Sequence, residues 1–198
     1  MISRCWGANA LDAKTLRPAF PPYSVHCLRT PFGRDVKVAV LGLTNPGIAI
    51  WDKANVQGKM TFPGLEEQAA KYVPRLRALG ADVVIVSAHS GSSGTSSYGD
   101  QLPYVENAAG LVAEQVPGID AILVGHAHTE IPEYRVKNKA TGKDVVLSEP
   151  LKWGAAAYAV RLRADVVEGL LVGGEGVGEG AELERGGGGS EDHAAVVG

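Results

Sequence analysis

Between residues 36 and 124 the chain alternates two hydrophobic rhythms. Short β-branched apolar runs occur at Val36 to Leu43 (V-K-V-A-V-L-G-L), Ala81 to His89 (A-D-V-V-I-V-S-A-H) and Ala121 to Val124 (A-I-L-V). Those lengths suit strands covered on both faces, with Lys37 near an entrance. Between them, apolar positions recur three and four residues apart: Leu65, Ala69, Tyr72, Val73, Leu76 and Leu79, then Val105, Ala108, Ala109, Val112 and Val116. Each set lies on one face of an α-helix, which predicts helices over Gly64 to Gly80 and Tyr104 to Pro117, with Glu106 and Glu114 off the apolar side. Pro74 should remove a hydrogen bond from the first helix and bend it, and Gly80 should stop it. Strand, helix, strand, helix, strand joined by right-handed crossovers is an α/β fold, a parallel sheet with helices packed on it.

The flanks are less regular. Met1 to Arg34 carries Pro18, Pro21, Pro22 and Pro31 and predicts irregular chain with one short strand near Tyr23 to Leu28. His26 lies in that alternating piece and is left out of any site. Residues 44–63 form a long connection rich in Gly, Pro and Asn around Trp51, and loops of that length tend to be functional or mobile. Glu133 to Leu147 alternates about Ala140-Thr141-Gly142-Lys143 as a β-hairpin, and Ala157 to Leu162 reads as one further strand. From Gly169 onward the chain holds 11 of its 26 glycines, including G-G-G-G-S, so residues 166–198 read as a Gly-rich disordered tail in which His193 is solvated.

Composition narrows the function classes. The 198 residues, 45% hydrophobic and 21% charged, suit one globular domain with a tail. A formal net charge of -3 and the lack of Lys/Arg runs argue against a nucleic-acid polymer or an anionic membrane as partner. Cys5 and Cys27 are the only cysteines, too few and too plainly spaced for a disulfide framework or a thiolate metal knuckle. No apolar run reaches transmembrane length, and the first residues carry no export signal.

The candidate chemistry is histidine. The strand Ala121 to Val124 runs into Gly125, His126, Ala127 and His128, and the glycine would let the backbone turn without a Cβ in the way. If the segment stays extended, His126 and His128 point to the same side. His-x-His alone also describes two surface histidines in a loop. The strand before it ends in His89, however, so three imidazoles fall at the carboxyl-terminal edge of one parallel sheet. Three such ligands would leave an ion with exchangeable positions, which suits catalysis, and spacing does not choose between Zn, Fe, Ni and Mn.

S-A-H-S-G at Ser87 to Gly91 and G-H-A-H at Gly125 to His128 resemble the last two metal motifs of the calcineurin-like metallophosphoesterases. L-G-L-T-N-P-G-I-A-I-W-D-K, the E-N-A-A segment at Glu106 and S-E-P-L-K-W-G most resemble the bacterial 5'-nucleotidase and 2',3'-cyclic-nucleotide 2'-phosphodiesterase branch, over about residues 8 to 163. The resemblance implies a partial αββα sandwich over residues 1–165. It also implies two divalent metal ions (Zn, Mn or Fe), with His89 and His126 on one and His128 on the other, and a nucleotide or other phosphate ester attacked in line by metal-activated water.

The same resemblance marks what differs. The family's Asp-x-His, bridging Gly-Asp and Gly-Asn-His-Glu motifs have no counterpart here, Asn9 is not assigned as a ligand, and no catalytic residue is assigned. Nor is the family's C-terminal nucleoside-binding domain present. A phosphoesterase thus stands beside an inactive remnant or a half domain that depends on a dimer or a complementing chain. A small α/β binding module without metal affinity is the third reading. The resemblance suggests an exported enzyme while the chain supplies no export signal, so no compartment is assigned.

Overall fold

The apolar runs form adjacent parallel strands, and the histidines follow two of them. The computed structural model describes residues 5–29, 33, 35–162 and 182–185. Its first half contains β1 (Leu11–Asp12), β2 (Tyr23–Arg29), β3 (Asp35–Leu43), α1 (Ile48–Trp51), α2 (Lys53–Val56), β4 (Met60–Thr61) and α3 (Leu65–Ala78). There follow β5 (Val83–Ala88), α4 (Ala109–Gln115), β6 (Ala121–Val124), β7 (Glu130–Lys137), β8 (Asp144–Pro150), β9 (Tyr158–Arg161) and β10 (Glu182–Arg185).

Six strands make the main sheet in the order β2-β3-β5-β6-β8-β7. The pairs β3/β5, β5/β6 and β6/β8 are parallel, while β2 and β7 are antiparallel edges. The expected α/β class and the hairpin (β7 and β8) are both present. α3 packs on β3 and β5, α4 on β6, β7 and β8, and the helices touch each other, so both cover one face. Leu41, Val84, Val86, Ile122 and Leu147 there meet Leu65, Val73, Leu76 and Val112, all fully buried. Each such side chain contributes about 1.5–3 kcal/mol on leaving water. The opposite face is more open: Ile85 is half-buried and Leu123 is 39% exposed. Among the described residues the αββα expectation therefore amounts to one six-stranded sheet under one helical layer.

α3 keeps its length through Pro74. Glu66 and Glu67 in its first turn and Arg75 and Arg77 in its last complement the helix dipole. Leu79, expected on the apolar face, is instead the C-terminal cap and 56% exposed. Arg77 ties this end of the helix to the sheet. Its Nε donates to Gly118 O at 3.0 Å, and its guanidinium pairs with Asp120 at 2.6 Å.

Other segments depart from expectation. The second helix begins at Ala109 rather than Tyr104. Its expected first turn is claimed by remote side chains: Ser90 Oγ donates to Glu106 O at 2.6 Å and accepts the Ala108 N–H at 2.8 Å, and Asn45 Nδ2 donates to Glu106 O at 3.2 Å. The long connection 44–63 is not loose, since α1, α2 and β4 build a small lobe in which Ala10, Val56 and Phe62 are buried. Asn9, wholly buried, clamps it: Nδ2 donates to Thr44 O (2.7 Å) and Pro63 O (3.0 Å), and Oδ1 accepts the Thr44 N–H (2.8 Å). Within the expected tail, β10 pairs antiparallel with β9, so E-L-E-R finds a strand edge despite its glycine neighbours. The rest of the tail, and the expected boundary at 165/166, lie outside the described residues. No helix among the described residues is long and apolar enough to cross a membrane.

Candidate metal-ligating site

The parallel ladder sets the first ligand. His89 follows β5, and its N–H donates to Leu43 O at 2.9 Å, which keeps it in line with β3. The imidazole edge is exposed, yet its pKa is pushed below the ordinary histidine value, first by burial of part of the ring and then by the neighbouring His126 and His128. His89 is therefore neutral near pH 7 and keeps a lone pair.

The His-Ala-His segment is not extended. His126 has φ +78° and the Ala127 N–H donates to Gly125 O at 3.0 Å, the pattern of a γ-turn with positive φ, a rare and strained conformation. His128 follows at φ +58°. Gly125 carries none of this strain, and a Cβ there would meet only His89 Nδ1, at an ordinary 3.8 Å. The glycine that matters is Gly91. A Cβ on it would lie 2.4 Å from Asn107 Oδ1 and 3.0 Å from the Ala127 Cβ, so its absence lets the S-A-H-S-G loop press against the turn between the two histidines.

The turn still brings the first two imidazoles together. The His89 and His126 ring centres are 5.3 Å apart, with the planes 65° from parallel. Trp51 stacks on His126 at 5.3 Å and 24°, which explains an aromatic side chain left 47% exposed in the lobe. A Cβ at Gly47 would lie 2.4 Å from the Trp51 ring, so that glycine admits the indole. His128 is exposed and lies near the also exposed Trp153, ring centres 6.0 Å apart.

One participant escaped the sequence pattern. Glu106, expected on a helix surface, is 3% exposed, and its Oε1 lies 2.7 Å from His126 Nε2. Its Oε2 accepts the Ser97 N–H in a short bond. Burial works to raise the Glu106 pKa, but the hydrogen bonds from His126 and Ser97 outweigh it and hold the carboxyl below its usual value. Beside His89 a cleft of about 420 Å³ opens over the far face of the sheet, touching Ser87, His89, Leu123, Ser148 and Tyr158.

The donor set can be tested against a divalent ion. At a zinc–nitrogen distance of about 2.1 Å, a coordinated imidazole centre lies roughly 3.2 Å from the metal, and two such rings at a near-tetrahedral angle are about 5 Å apart. His89 and His126 meet that spacing. Among the described residues, however, no three His, Cys, Asp or Glu side chains are gathered tightly enough to hold an ion. The residues thus fit part of one ion's shell rather than a closed two-ion centre.

No family model matches the chain. Known proteins nevertheless resemble it closely. The 2',3'-cyclic-nucleotide 2'-phosphodiesterase/3'-nucleotidase of Salmonella typhimurium is 42% identical over 133 residues, 63% of this chain and 19% of that protein. The protein of the same name from Haemophilus influenzae is 35% identical over 146 residues, 70% of this chain and 21% of its own length. The crystal structure of the calcineurin-like phosphoesterase YfkN from Bacillus subtilis superposes with a TM-score of 0.70 at 26% identity, covering 92% of this chain and 55% of that one. The chain is homologous to a segment of the calcineurin-like phosphoesterases. Within that class its curated relatives are nucleotide phosphoesterases, as the L-G-L-T-N-P-G-I-A-I-W-D-K, E-N-A-A and S-E-P-L-K-W-G segments led one to expect, and the chain spans about a fifth of the length of the two named here.

Proposed function

We propose that the chain hydrolyses nucleotide phosphate esters, as a 5'-nucleotidase or a 2',3'-cyclic-nucleotide phosphodiesterase, with water as the attacking group. In this reading His89 and His126 ligate one divalent ion and His128 a second. The observation that carries it is the meeting of His89 and His126, 5.3 Å between ring centres, at the carboxyl edge of a parallel sheet in a chain homologous to nucleotide phosphoesterases. The calcineurin-like phosphoesterase family is generally dependent on divalent metals. Such ions, when bound, polarise phosphoryl oxygens and acidify water. The chain's own contribution is positional. His89 stays neutral and keeps a lone pair, Trp51 and Glu106 hold the His126 ring, and the cleft beside Ser87 and His89 gives an ester room to approach.

A second reading, a catalytically inactive or partner-dependent half domain, is supported by two observations. No three-donor cluster occurs among the described residues, and Leu123 on the far sheet face is 39% exposed. A second copy or a complementing chain would then finish the site. Metal content and hydrolysis of a chromogenic phosphate ester, with added Mn or Zn, separate the readings when measured on the chain and on His126→Ala. About two equivalents of metal and turnover lost in the variant support the enzyme. One equivalent or less, with no turnover in either protein, supports the half domain.

A further inference from the structure

A carboxylate that is 3% exposed, in a loop rather than a helix, needs a reason to be there. Glu106 is held from every side. Its backbone N–H donates to Ser96 Oγ at 3.2 Å, and its C=O accepts from Ser90 Oγ at 2.6 Å and Asn45 Nδ2 at 3.2 Å. The side chain spends Oε2 on the Ser97 N–H and aims Oε1 at His126 Nε2, 2.7 Å away. An ionised carboxylate has only acceptors, so the proton of that bond belongs to the imidazole. A neutral His126 with its proton on Nε2 leaves Nδ1 as its sole lone pair. The ring has little freedom to choose otherwise, because Trp51 stacks on it at 5.3 Å and the backbone beneath it is fixed at φ +78°.

We propose that Glu106 is the positioning residue of the site: it fixes the His126 tautomer with hydrogen on Nε2, so that Nδ1 is the nitrogen offered to a divalent cation. Carboxylate partners of this kind set the orientation and basicity of metal-bound histidines, and their loss commonly weakens affinity by about 10- to 100-fold. The inference rests on the reading of His126 as a ligand, but the tautomer itself does not depend on any metal. The alternative is a purely structural pin joining the 90–108 loop to the end of β6. Such a pin would lower stability on mutation and leave tautomer and affinity alone.

The test begins with the unsubstituted chain. Long-range ¹⁵N–¹H correlations of metal-free protein above pH 7 report which His126 nitrogen carries hydrogen. Hydrogen on Nε2 is expected, and hydrogen on Nδ1 overturns the proposal without any variant being made. Glu106→Gln, whose amide can donate as well as accept, should then populate the other tautomer and weaken Zn or Mn binding by calorimetry about 10- to 100-fold. Unchanged tautomer and affinity in Glu106→Gln, with affinity lost in His126→Ala, would refute the positioning role while leaving the ligand reading intact. Affinity unchanged in His126→Ala would remove the ligand reading itself, whatever the tautomer.

Discussion

Gly91 and Gly125 flank the candidate site, and the structure assigns them opposite tolerances. An alanine at 91 would bring its Cβ to 2.4 Å from Asn107 Oδ1, 3.0 Å from Asn107 Cγ and 3.0 Å from the Ala127 Cβ. Real Cβ atoms do not approach that closely, so Asn107 would have to leave. It would then give up the bond it accepts from the Gly91 N–H and the one it donates to Thr95 O, each 3.2 Å. Overpacking of this kind typically costs about 1–3 kcal/mol, and each lost hydrogen bond about 0.5–1.5 kcal/mol. Gly91→Ala should thus destabilise the chain by roughly 2–6 kcal/mol, the upper part reached only if Asn107 finds no new partner. Gly125→Ala, with its nearest contact at 3.8 Å and no positive φ to violate, should stay within about 0.5 kcal/mol of the parent. Urea denaturation followed by circular dichroism measures both, with unchanged slopes certifying that the midpoints compare stability. Because Ala127 lies between His126 and His128, Gly91→Ala should also weaken Zn binding while Gly125→Ala leaves it alone. Equal destabilisation by the two alanines, or a larger loss at 125, would refute this account of the turn.

Two further outcomes follow from buried polar groups. Asn9→Ala removes three hydrogen bonds at a wholly buried position and strands Thr44 and Pro63 backbone groups, so the urea midpoint should fall by an equivalent of about 2–4 kcal/mol. Glu106 sets an acid limit. Its folded-state pKa is lowered, because the His126 and Ser97 hydrogen bonds overcome burial, so its contribution is complete above the unfolded value of 4.5 and is lost as pH falls through the lower folded value. Unfolding midpoints measured from about pH 6 down to pH 3 should therefore show a loss that Glu106→Gln flattens. An acid limb of the same steepness in the variant would contradict the assignment.

Local pattern revealed the scaffold well where burial repeats at short range. The strand at Ala121 to Val124 has the bounds its apolar run implies, Val36 to Leu43 differs by one residue at one end, and α3 fills the interval between Gly64 and Gly80. What stayed hidden depends on distant partners. Nothing in Tyr104 to Ala108 announces that Ser90 and Asn45, 16 and 61 residues away, will bond the Glu106 carbonyl in place of a helical turn. The Glu106 to His126 bond spans 20 residues in the same way, although the E-N-A-A segment had marked the place. Convergence of His89 with His126 was legible from strand order alone. The route was not, since alternation assumes an extended chain and the segment uses a γ-turn. Proline and glycine in 44–63 read as a functional or mobile loop, and its folded lobe stayed hidden because the apolar residues there are too few and too scattered to give a period.

The positive φ at His128 bears on how this chain could be altered over many generations. That residue is exposed and held in a backbone region that costs an L-amino acid roughly 1–2 kcal/mol and glycine almost nothing. A screen that rewarded only thermal endurance would therefore favour glycine there and discard the imidazole. Any lineage in which the histidine persists is one in which something other than endurance is being selected.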